Sequence, residues 1–84
     1  MVKGKETIMK DFVEFIVKKL VDQPDAVVIN EIEGDKTIVL ELKVAPGELG
    51  KVIGKQGRIA GAIRTLLVAV SAKSPKKVLL EILE

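Results

Sequence analysis

The stretch Val52–Arg64, VIGKQGRIAGAIR, is the most informative part of this 84-residue chain. Gly54 and Gly57 enclose a lysine and a glutamine, and apolar residues lie on both sides. Glycine takes positive φ at little cost and lets another backbone approach closely, so the pair predicts a short loop between two helices. Backbone N–H groups at the start of the second helix would face outward, with the positive end of the helix dipole behind them. With the cations Lys55 and Arg58 beside it, this loop has the outline of an anion site.

Two common phosphate-binding loops do not match the spacing of these glycines. A P-loop requires Gly-x-x-x-x-Gly-Lys followed by Ser or Thr, whereas Gly50 and Gly54 are four apart and Gln56 follows Lys55. The dinucleotide-binding pattern Gly-x-Gly-x-x-Gly is absent, and no carboxylate follows at the distance needed to hold a ribose. The loop therefore does not indicate a mononucleotide enzyme or a small-molecule substrate.

The composition excludes most enzyme chemistry. The chain contains no cysteine and no histidine, which excludes a thiolate nucleophile, an imidazole base, a disulfide and the usual zinc sites. Asp22 and Asp25 flank a helix end without a partner base, so we interpret them as capping and solubilising charges. We expect no catalytic residue, no metal and no cofactor. Charged residues interrupt the apolar N-terminal segment, which predicts neither a leader nor a membrane span and favours a cytoplasmic protein.

Charge is distributed unevenly along the chain. Residues 1–45 carry seven lysines against nine acids, whereas residues 46–84 carry seven basic residues against three acids. No acid occurs between Leu49 and Leu80. A field of one sign over half of a small domain attracts an anionic partner, although a merely solvated basic face is an equal alternative on charge alone.

Hydrophobic periodicity in the first half predicts a helix followed by a hairpin. Apolar residues at three- and four-residue steps predict an amphipathic helix over Thr7–Val21. Its predicted core stripe comprises Ile8, Phe12, Phe15 or Ile16, and Leu20. Two strands follow in Ala26–Val44, and Gly34–Asp35 between them fits a two-residue turn with glycine in the first central position.

The second half predicts a helix, the glycine loop, a longer helix and a last strand. Pro46–Ala72 contains both helices, with Pro46 in the first turn of the short one. The predicted core stripe of the longer helix comprises Ile59, Ile63, Leu66 and Val70. Lys77–Leu83 alternates like a strand. A helical crossover between strands of one sheet is almost always right-handed and parallel. We therefore expect a single α+β domain over residues 1–84, ordered α-β-β-α-α-β, with a three-stranded mixed sheet and three helices packed on one face.

Ile53–Gly57, within GKVIGKQGRIAGAIRTLL, resembles the Ile-Gly-x-x-Gly signature of the KH domain. The element order resembles a KH domain of the second type, and the whole chain is similar to the small bacterial stand-alone KH proteins of the KhpA type. The resemblance implies non-catalytic binding of single-stranded RNA. In that mode the loop clamps the backbone of about four nucleotides, while the bases lie over an aliphatic groove.

The resemblance also implies which residues contact RNA. The loop contacts would be Gly54, Lys55, Gln56 and Gly57, supported by Arg58 and Lys51. The helical wall of the groove would comprise Val52, Ile53, Ile59 and Ile63. Lys73, Lys76 and Lys77, near the last strand, would reach neighbouring phosphates. Ala60 stands where many eukaryotic KH sequences carry isoleucine, which leaves the groove depth open. Arg64 either contacts RNA or is a solvated helix residue, and we favour solvation slightly.

Surplus apolar residues predict a protein partner. Leu67 and Val68 extend the apolar surface of the longer helix, and Leu79 and Leu83 lie opposite the core-facing side of the last strand. KhpA-type proteins, by resemblance, self-associate and pair with a second KH protein, which implies a homodimer or a heteromer and a role in post-transcriptional regulation. The alternatives are a tightly wrapped monomer, and a protein-interaction subunit whose RNA contact is incidental. Base stacking on exposed aromatic rings is disfavoured, because Phe12 and Phe15 are the only aromatic residues and both are predicted to face the core.

Overall fold

The computed structural model describes residues 5–84, with side chains from residue 8 onward, and its three strands form one sheet in chain order. The elements are α1 (Lys5–Leu20), β1 (Val28–Glu33), β2 (Thr37–Lys43), α2 (Leu49–Ile53), α3 (Arg58–Val70) and β3 (Lys77–Ile82). Single 3₁₀ turns occupy Pro24–Ala26 and Lys55–Gly57. The predicted element order and the α+β fold class are confirmed.

Strand pairing follows the predicted topology. β1 pairs antiparallel with β2, and β2 pairs parallel with β3. Alternation turns Ile38, Leu40 and Leu42 of the central strand towards the helices, where all three are completely enclosed. Buried residues of all three helices join them in one core cluster, so the helical layer covers a single face of the sheet.

The core stripe of α1 is not the predicted one. Met9, Val13 and Val17 are buried, whereas Ile8 and Phe15 are 59% and 64% exposed. The other predicted residues, Phe12, Ile16 and Leu20, pack partly buried against the core. α1 is apolar around a wide arc that contains two overlapping four-residue series, and periodicity alone does not show which series lies over the sheet.

The same error affects α3. Its buried residues are Ala60, Ile63 and Leu67, whereas Leu66 and Val70 are 49% and 44% exposed. Of the predicted stripe, Ile63 is buried and Ile59 packs partly buried against the core, so the stripe is rotated about the helix axis relative to the observed one. Leu67, expected at an interface, lies inside the core.

The hairpin turn lies one residue later than predicted. The Gly34 N–H donates to the carbonyl of Thr37 at 2.7 Å, so Asp35 and Lys36 occupy the central positions. A turn at Gly34–Asp35 would displace the strand pairing by two residues. Such a displacement leaves the same side chains facing the core, so the alternating pattern cannot distinguish the two registers.

α2 begins at Leu49 and not at the predicted Pro46. Pro46 and Gly47 instead occupy the central positions of a β-turn, in which the Glu48 N–H donates to the Ala45 carbonyl at 3.1 Å. Gly47 has φ +85°, which the third position of a type II turn requires. The turn redirects the chain from the end of β2 into the short helix.

Replacing Val13 by alanine tests the revised core. Val13 is completely buried and Val68 is 65% exposed, and both are valines within helices. Both variants gain equally from alanine's helix propensity, so Val13→Ala should be less stable than Val68→Ala by about 2–3 kcal/mol because of its lost burial and cavity. Urea unfolding measures the difference. Equal stability of the two variants would refute this placement of α1.

Candidate functional site

The loop between α2 and α3 holds three residues at positive φ. Gly54 has φ 77° and ψ 173°, Gln56 has φ 58° and ψ 25°, and Gly57 has φ 74° and ψ 14°. Gln56 is the one non-glycine residue with positive φ in the part of the chain that the structure describes. Side chains disfavour such conformations, so the loop is a tight reversal of largely bare main chain.

The two glycines are needed for different reasons. A Cβ atom at Gly54 would lie 2.5 Å from Cγ1 of Ile59, so glycine is required there by packing as well as by φ. A Cβ atom at Gly57 would meet nothing within 4 Å, so only its left-handed φ favours glycine. Ile59 thus packs directly over the loop backbone and connects the loop to the first turn of α3.

Two adjacent backbone donors of the loop have no acceptor among the residues that the structure describes. The N–H groups of Gly54 and Gly57 donate to Gly50 and Gly54 at 2.8 and 3.1 Å, and the Arg58 N–H donates to Lys55. For the N–H groups of Lys55 and Gln56, no hydrogen bond to any described residue is found. Successive free N–H groups in such a turn form a concave site for an anion.

Exposed cations surround these donors. The side chains of Lys55, Gln56 and Arg58 are all exposed. Among the described side chains, neither Lys55 nor Arg58 forms a salt bridge, and the two acids beside α2, Glu48 and Asp22, are paired with Lys51. The loop therefore presents positive potential and main-chain donors together.

A buried carboxylate anchors α2 below the loop. Glu48 is 4% exposed, and its carboxylate accepts the backbone N–H groups of Asp22 and Gln23 at 2.5 and 3.1 Å. These hydrogen bonds, with the ammonium of Lys51 at 3.6 Å, compensate its burial. Glu48 directly precedes α2, so these hydrogen bonds connect the start of α2 to the segment that follows α1. The prediction missed this contact because the partners are more than twenty residues apart in sequence and carry no motif.

Lys51, a predicted RNA contact, takes part in this anchor. Its ammonium forms an ion pair with Asp22 and lies close to Glu48. The hydrogen bond to Asp22, followed by the charges of Asp22 and Glu48, raises the pKa of Lys51 above its usual value. The residue is therefore charged at neutral pH but already has protein partners.

The predicted helical wall of the groove is only partly available. Val52 is completely buried and Ile63 is 2% exposed, because both fill the core between the helices and the sheet. Neither presents a surface to a ligand, so this part of the prediction is wrong. Ile53 and Ile59 are half-buried and keep an accessible edge. Ala60 is buried at 4%.

A shallow groove runs between α3 and β3. It encloses about 140 Å³ and is lined by Arg64, Leu67, Val68, Val78, Leu79 and Leu80. Arg64 Nη2 donates to the carbonyl of Leu80 at 3.3 Å and so bridges the groove. Arg64 is therefore more than a solvated helix residue. Because β3 lies at the edge of the sheet and pairs on one side only, some of its carbonyls have no strand partner and can accept from Arg64.

The three predicted lysines near β3 lie far from the glycine loop. α3 has thirteen residues and so separates its two ends by roughly 20 Å. Lys76 forms an ion pair with Glu33 and donates to the Gly34 carbonyl at 2.9 Å. Lys73 borders a different cavity, and Lys77 pairs in register with Thr37 at the start of β3. The structure does not bring these lysines together with Lys55 and Arg58.

Neither a membrane-crossing helix nor a metal cluster is found in the described part of the chain. None of the helices there combines the length and the apolar character needed to cross a bilayer. The same residues contain no group of three or more acidic side chains placed to hold a metal ion.

Comparisons with known proteins point to one family. The family described as KhpA/KhpB, KH domain, matches residues 10–82. A protein of Aquifex aeolicus named RNA-binding protein KhpA is 62% identical over 76 residues, which cover 90% of this chain and 96% of the relative. A Clostridium perfringens protein of the same name is 57% identical over 75 residues, which cover 89% of this chain and the whole relative.

Replacing each loop glycine by alanine separates the two requirements. Gly57→Ala should cost about 1–2 kcal/mol, the usual penalty of a left-handed residue. Gly54→Ala should cost more, because Ile59 must also move. Urea unfolding gives both values, and the methyl NMR signals of Ile59 should shift further in Gly54→Ala than in Gly57→Ala. A larger loss for Gly57→Ala would contradict the packing described here.

Replacing Glu48 by glutamine tests the buried anchor. The amide retains one acceptor oxygen but turns an NH₂ group towards a backbone N–H, so the variant should lose about 1–3 kcal/mol. Glu84→Gln, at an exposed position, should stay within about 0.5 kcal/mol of the parent chain. Urea unfolding of the two variants checks the expectation, and equal stabilities would show that the anchor contributes nothing.

Proposed function

Because this chain belongs to the KhpA/KhpB KH-domain family, we propose that it binds single-stranded RNA without catalysing a reaction. The observation that carries the proposal is the open Gly54–Gly57 loop, whose two free N–H groups lie among exposed cations. The names of the relatives, RNA-binding protein KhpA, support the same ligand. We further propose that the protein acts in the bacterial cytoplasm in post-transcriptional regulation.

The proposed grip on the RNA is electrostatic and does not depend on sequence. Phosphate oxygens accept the N–H groups of Lys55 and Gln56, while the ammonium of Lys55 and the guanidinium of Arg58 neutralise the charge. Gly54 and Gly57 keep side chains away, so a sugar-phosphate backbone can approach the main chain closely. Contacts of this kind fix the position of a strand and carry no base specificity.

The bases would lie along the groove between α3 and β3. Its exposed aliphatic surface comprises Val68 and Leu79, with the half-buried Ile53 and Ile59 at the loop end, and Arg64 offers donors across it. Lys73 remains exposed near the far end of α3. Lys51 and Lys76 are held in ion pairs, so we assign them no direct RNA contact. A small aliphatic groove of this kind supports only weak base preference.

A second proposal concerns self-association through the helical layer. Ile8 and Phe15 of α1, with Leu66 and Val70 of α3, form the α1–α3 patch, in which all four side chains are more than 40% exposed. Ile8 and Val70 meet at a cavity of about 220 Å³ between the helices. We propose that a second copy, or another KH protein, covers this patch. A dimer would bring two loops to one RNA and raise their effective concentration.

The interface predicted from the sequence is thereby revised. Leu67 belongs to the core, and alternation puts Leu79 on the face of the sheet that the helices leave open. Leu83 follows the end of β3 and lines a cavity with Val44, Ala45 and Leu49. One flat interface cannot include both the α1–α3 patch and that face.

Charge reversal in the loop tests RNA binding. Lys55→Asp, alone and with Gln56→Asp, should weaken binding of a fluorescent single-stranded RNA dodecamer at least about tenfold, because the new carboxylates repel phosphate. The log-log salt dependence of affinity should become shallower by about 0.7 for each phosphate that the variant no longer neutralises. Lys36→Asp makes the same charge change at the exposed hairpin turn and should bind nearly as the parent does. Equally weakened binding by Lys36→Asp and Lys55→Asp would reject the loop as the site.

Leu66→Glu tests the proposed dimer. A buried carboxylate in the α1–α3 patch should yield a monomer by light scattering, with the circular dichroism spectrum unchanged. Val68→Glu, on the groove side of α3, should remain dimeric but bind RNA more weakly. A parent chain that is monomeric at all concentrations, or a dimer unaffected by Leu66→Glu, would exclude this interface. If the dimer persists and the Lys55 variants also bind RNA normally, the chain is better described as a protein-interaction subunit.

A further inference from the structure

Arg64 crosses the groove between α3 and β3 and is held there at one nitrogen. Its Nη2 atom donates to the Leu80 carbonyl at 3.3 Å, and no other hydrogen bond or ion pair of this side chain is found among the described residues. A guanidinium carries five N–H donors in a rigid, planar fork. The contact with Leu80 therefore orients the fork and leaves most of its donors free for a ligand.

The surface of α3 is bare on the side of Arg64 that leads to the glycine loop. Gly61 lies one turn before Arg64 and shares a face of the helix with Arg64 and Val68. Glycine inside a helix is destabilising relative to alanine. Neither packing nor backbone conformation requires it here, because a Cβ atom would meet nothing within 4 Å and the φ angle is not positive. Gly61 instead leaves open space through which a ligand reaches the guanidinium.

Apolar side chains border the guanidinium on both sides of the groove. Val68 lies one turn further along α3, and Leu79 precedes Leu80 on β3, and both are more than 40% exposed. With Arg64 they line the groove of about 140 Å³. An apolar site with a few placed polar groups suits a flat, weakly polar ligand. A nucleobase fits this description, whereas a phosphate would lose water against the apolar walls and gain little from them.

The glycine loop and Arg64 lie close enough to act on one strand. Arg64 follows Gly57 by seven residues on α3, which corresponds to about 10 Å along the helix axis. Gly57, Gly61 and Arg64 lie on the same face of the helix. A base that meets Arg64 would therefore belong to the same short stretch of RNA whose phosphate the loop holds.

Given the RNA binding proposed above, on which this step rests, we infer that Arg64 reads a guanine at one position of the bound strand. Guanine presents two neighbouring acceptors, O6 and N7, which a guanidinium binds with two parallel hydrogen bonds. Adenine carries an amino donor in place of O6, and the two carbonyls of uracil are separated by an N–H donor. Cytosine has neighbouring acceptors in O2 and N3, but its single ring covers less of Val68 and Leu79.

The expected preference is modest and confined to one position. The aliphatic walls discriminate little between bases, and Arg64 adds a preference at the nucleotide that it contacts. Because the groove is shallow and open, guanine should be favoured about fivefold to tenfold, at the lower end of what a bidentate arginine contact provides.

Single-base changes in a short RNA test the proposal. The probes are pentamers of the form UUXUU, short enough that few binding registers compete, and affinities are measured from the amide signals of ¹⁵N-labelled protein. The strand with X as guanosine should bind about fivefold to tenfold more tightly than those with adenosine, cytidine or uridine. Inosine keeps O6 and N7 and should bind like guanosine. The 7-deazaguanosine strand lacks the N7 acceptor and should bind like adenosine.

Two variants connect this preference to Arg64. Arg64→Lys keeps the charge and removes the fork, so the preference for guanosine should fall below twofold. Gly61→Leu fills the open space and should also abolish the preference, although the better helix former should raise the urea midpoint. A loss of preference in a more stable protein cannot result from unfolding. Lys36→Asp, at the hairpin turn, should keep the parent preference.

The outcomes separate this proposal from the function on which it rests. Equal binding of all pentamers by the parent chain would overturn the reading of guanine, and so would cytidine binding as tightly as guanosine. An equal loss for every pentamer in Arg64→Lys would show a phosphate contact and would also overturn it. No binding of any pentamer, with the amide signals of Lys55 and Gln56 unmoved, would refute the proposed RNA binding together with this proposal.

Discussion

The close approach of Ile59 to Gly54 is the constraint on which the site depends. The isoleucine occupies the space of a missing Cβ atom, so α3 starts immediately above the end of α2 and the chain must reverse within four residues. Such a reversal requires left-handed backbone at Gln56 and Gly57 and leaves the N–H groups of Lys55 and Gln56 without acceptors among the described residues. The geometry that makes the reversal compact is therefore the same geometry that exposes the donors.

The short helix that leads into the loop is held by a contact that no local sequence motif indicates. Glu48 binds the backbone at the end of α1, and its short distance to Lys51 joins charge on α2 to the same anchor. Burying a carboxylate costs free energy unless hydrogen bonds and a nearby positive charge compensate the loss of water. Here two backbone N–H groups and the ammonium of Lys51 provide that compensation. The charge of Glu48 is therefore already paired, and it does not oppose the binding of an anion at the loop.

Sequence reasoning predicts the elements and the motif but not which apolar residues lie innermost. The glycine pair, the alternation in β2 and the crossover rule are local or topological signals, and they specify the sheet order and the position of the loop. The predicted stripes of α1 and α3 are misplaced because both helices are apolar around a wide arc, and only packing against the sheet selects Val13 over Phe12 and Leu67 over Leu66. The assignment of Val52 to the ligand fails for the same reason. The roles of Arg64, Lys51 and Lys76 depend on partners distant in sequence, which no motif indicates.

The central claim is that the main chain of the loop, and not only its cations, holds a phosphate. It is tested most directly by recording the amide NMR signals of ¹⁵N-labelled protein during titration with a short single-stranded RNA. The N–H signals of Lys55 and Gln56 should show the largest downfield shifts in the molecule, as expected for new hydrogen bonds to phosphate oxygen. Saturable RNA binding that leaves these two signals in place would contradict the account.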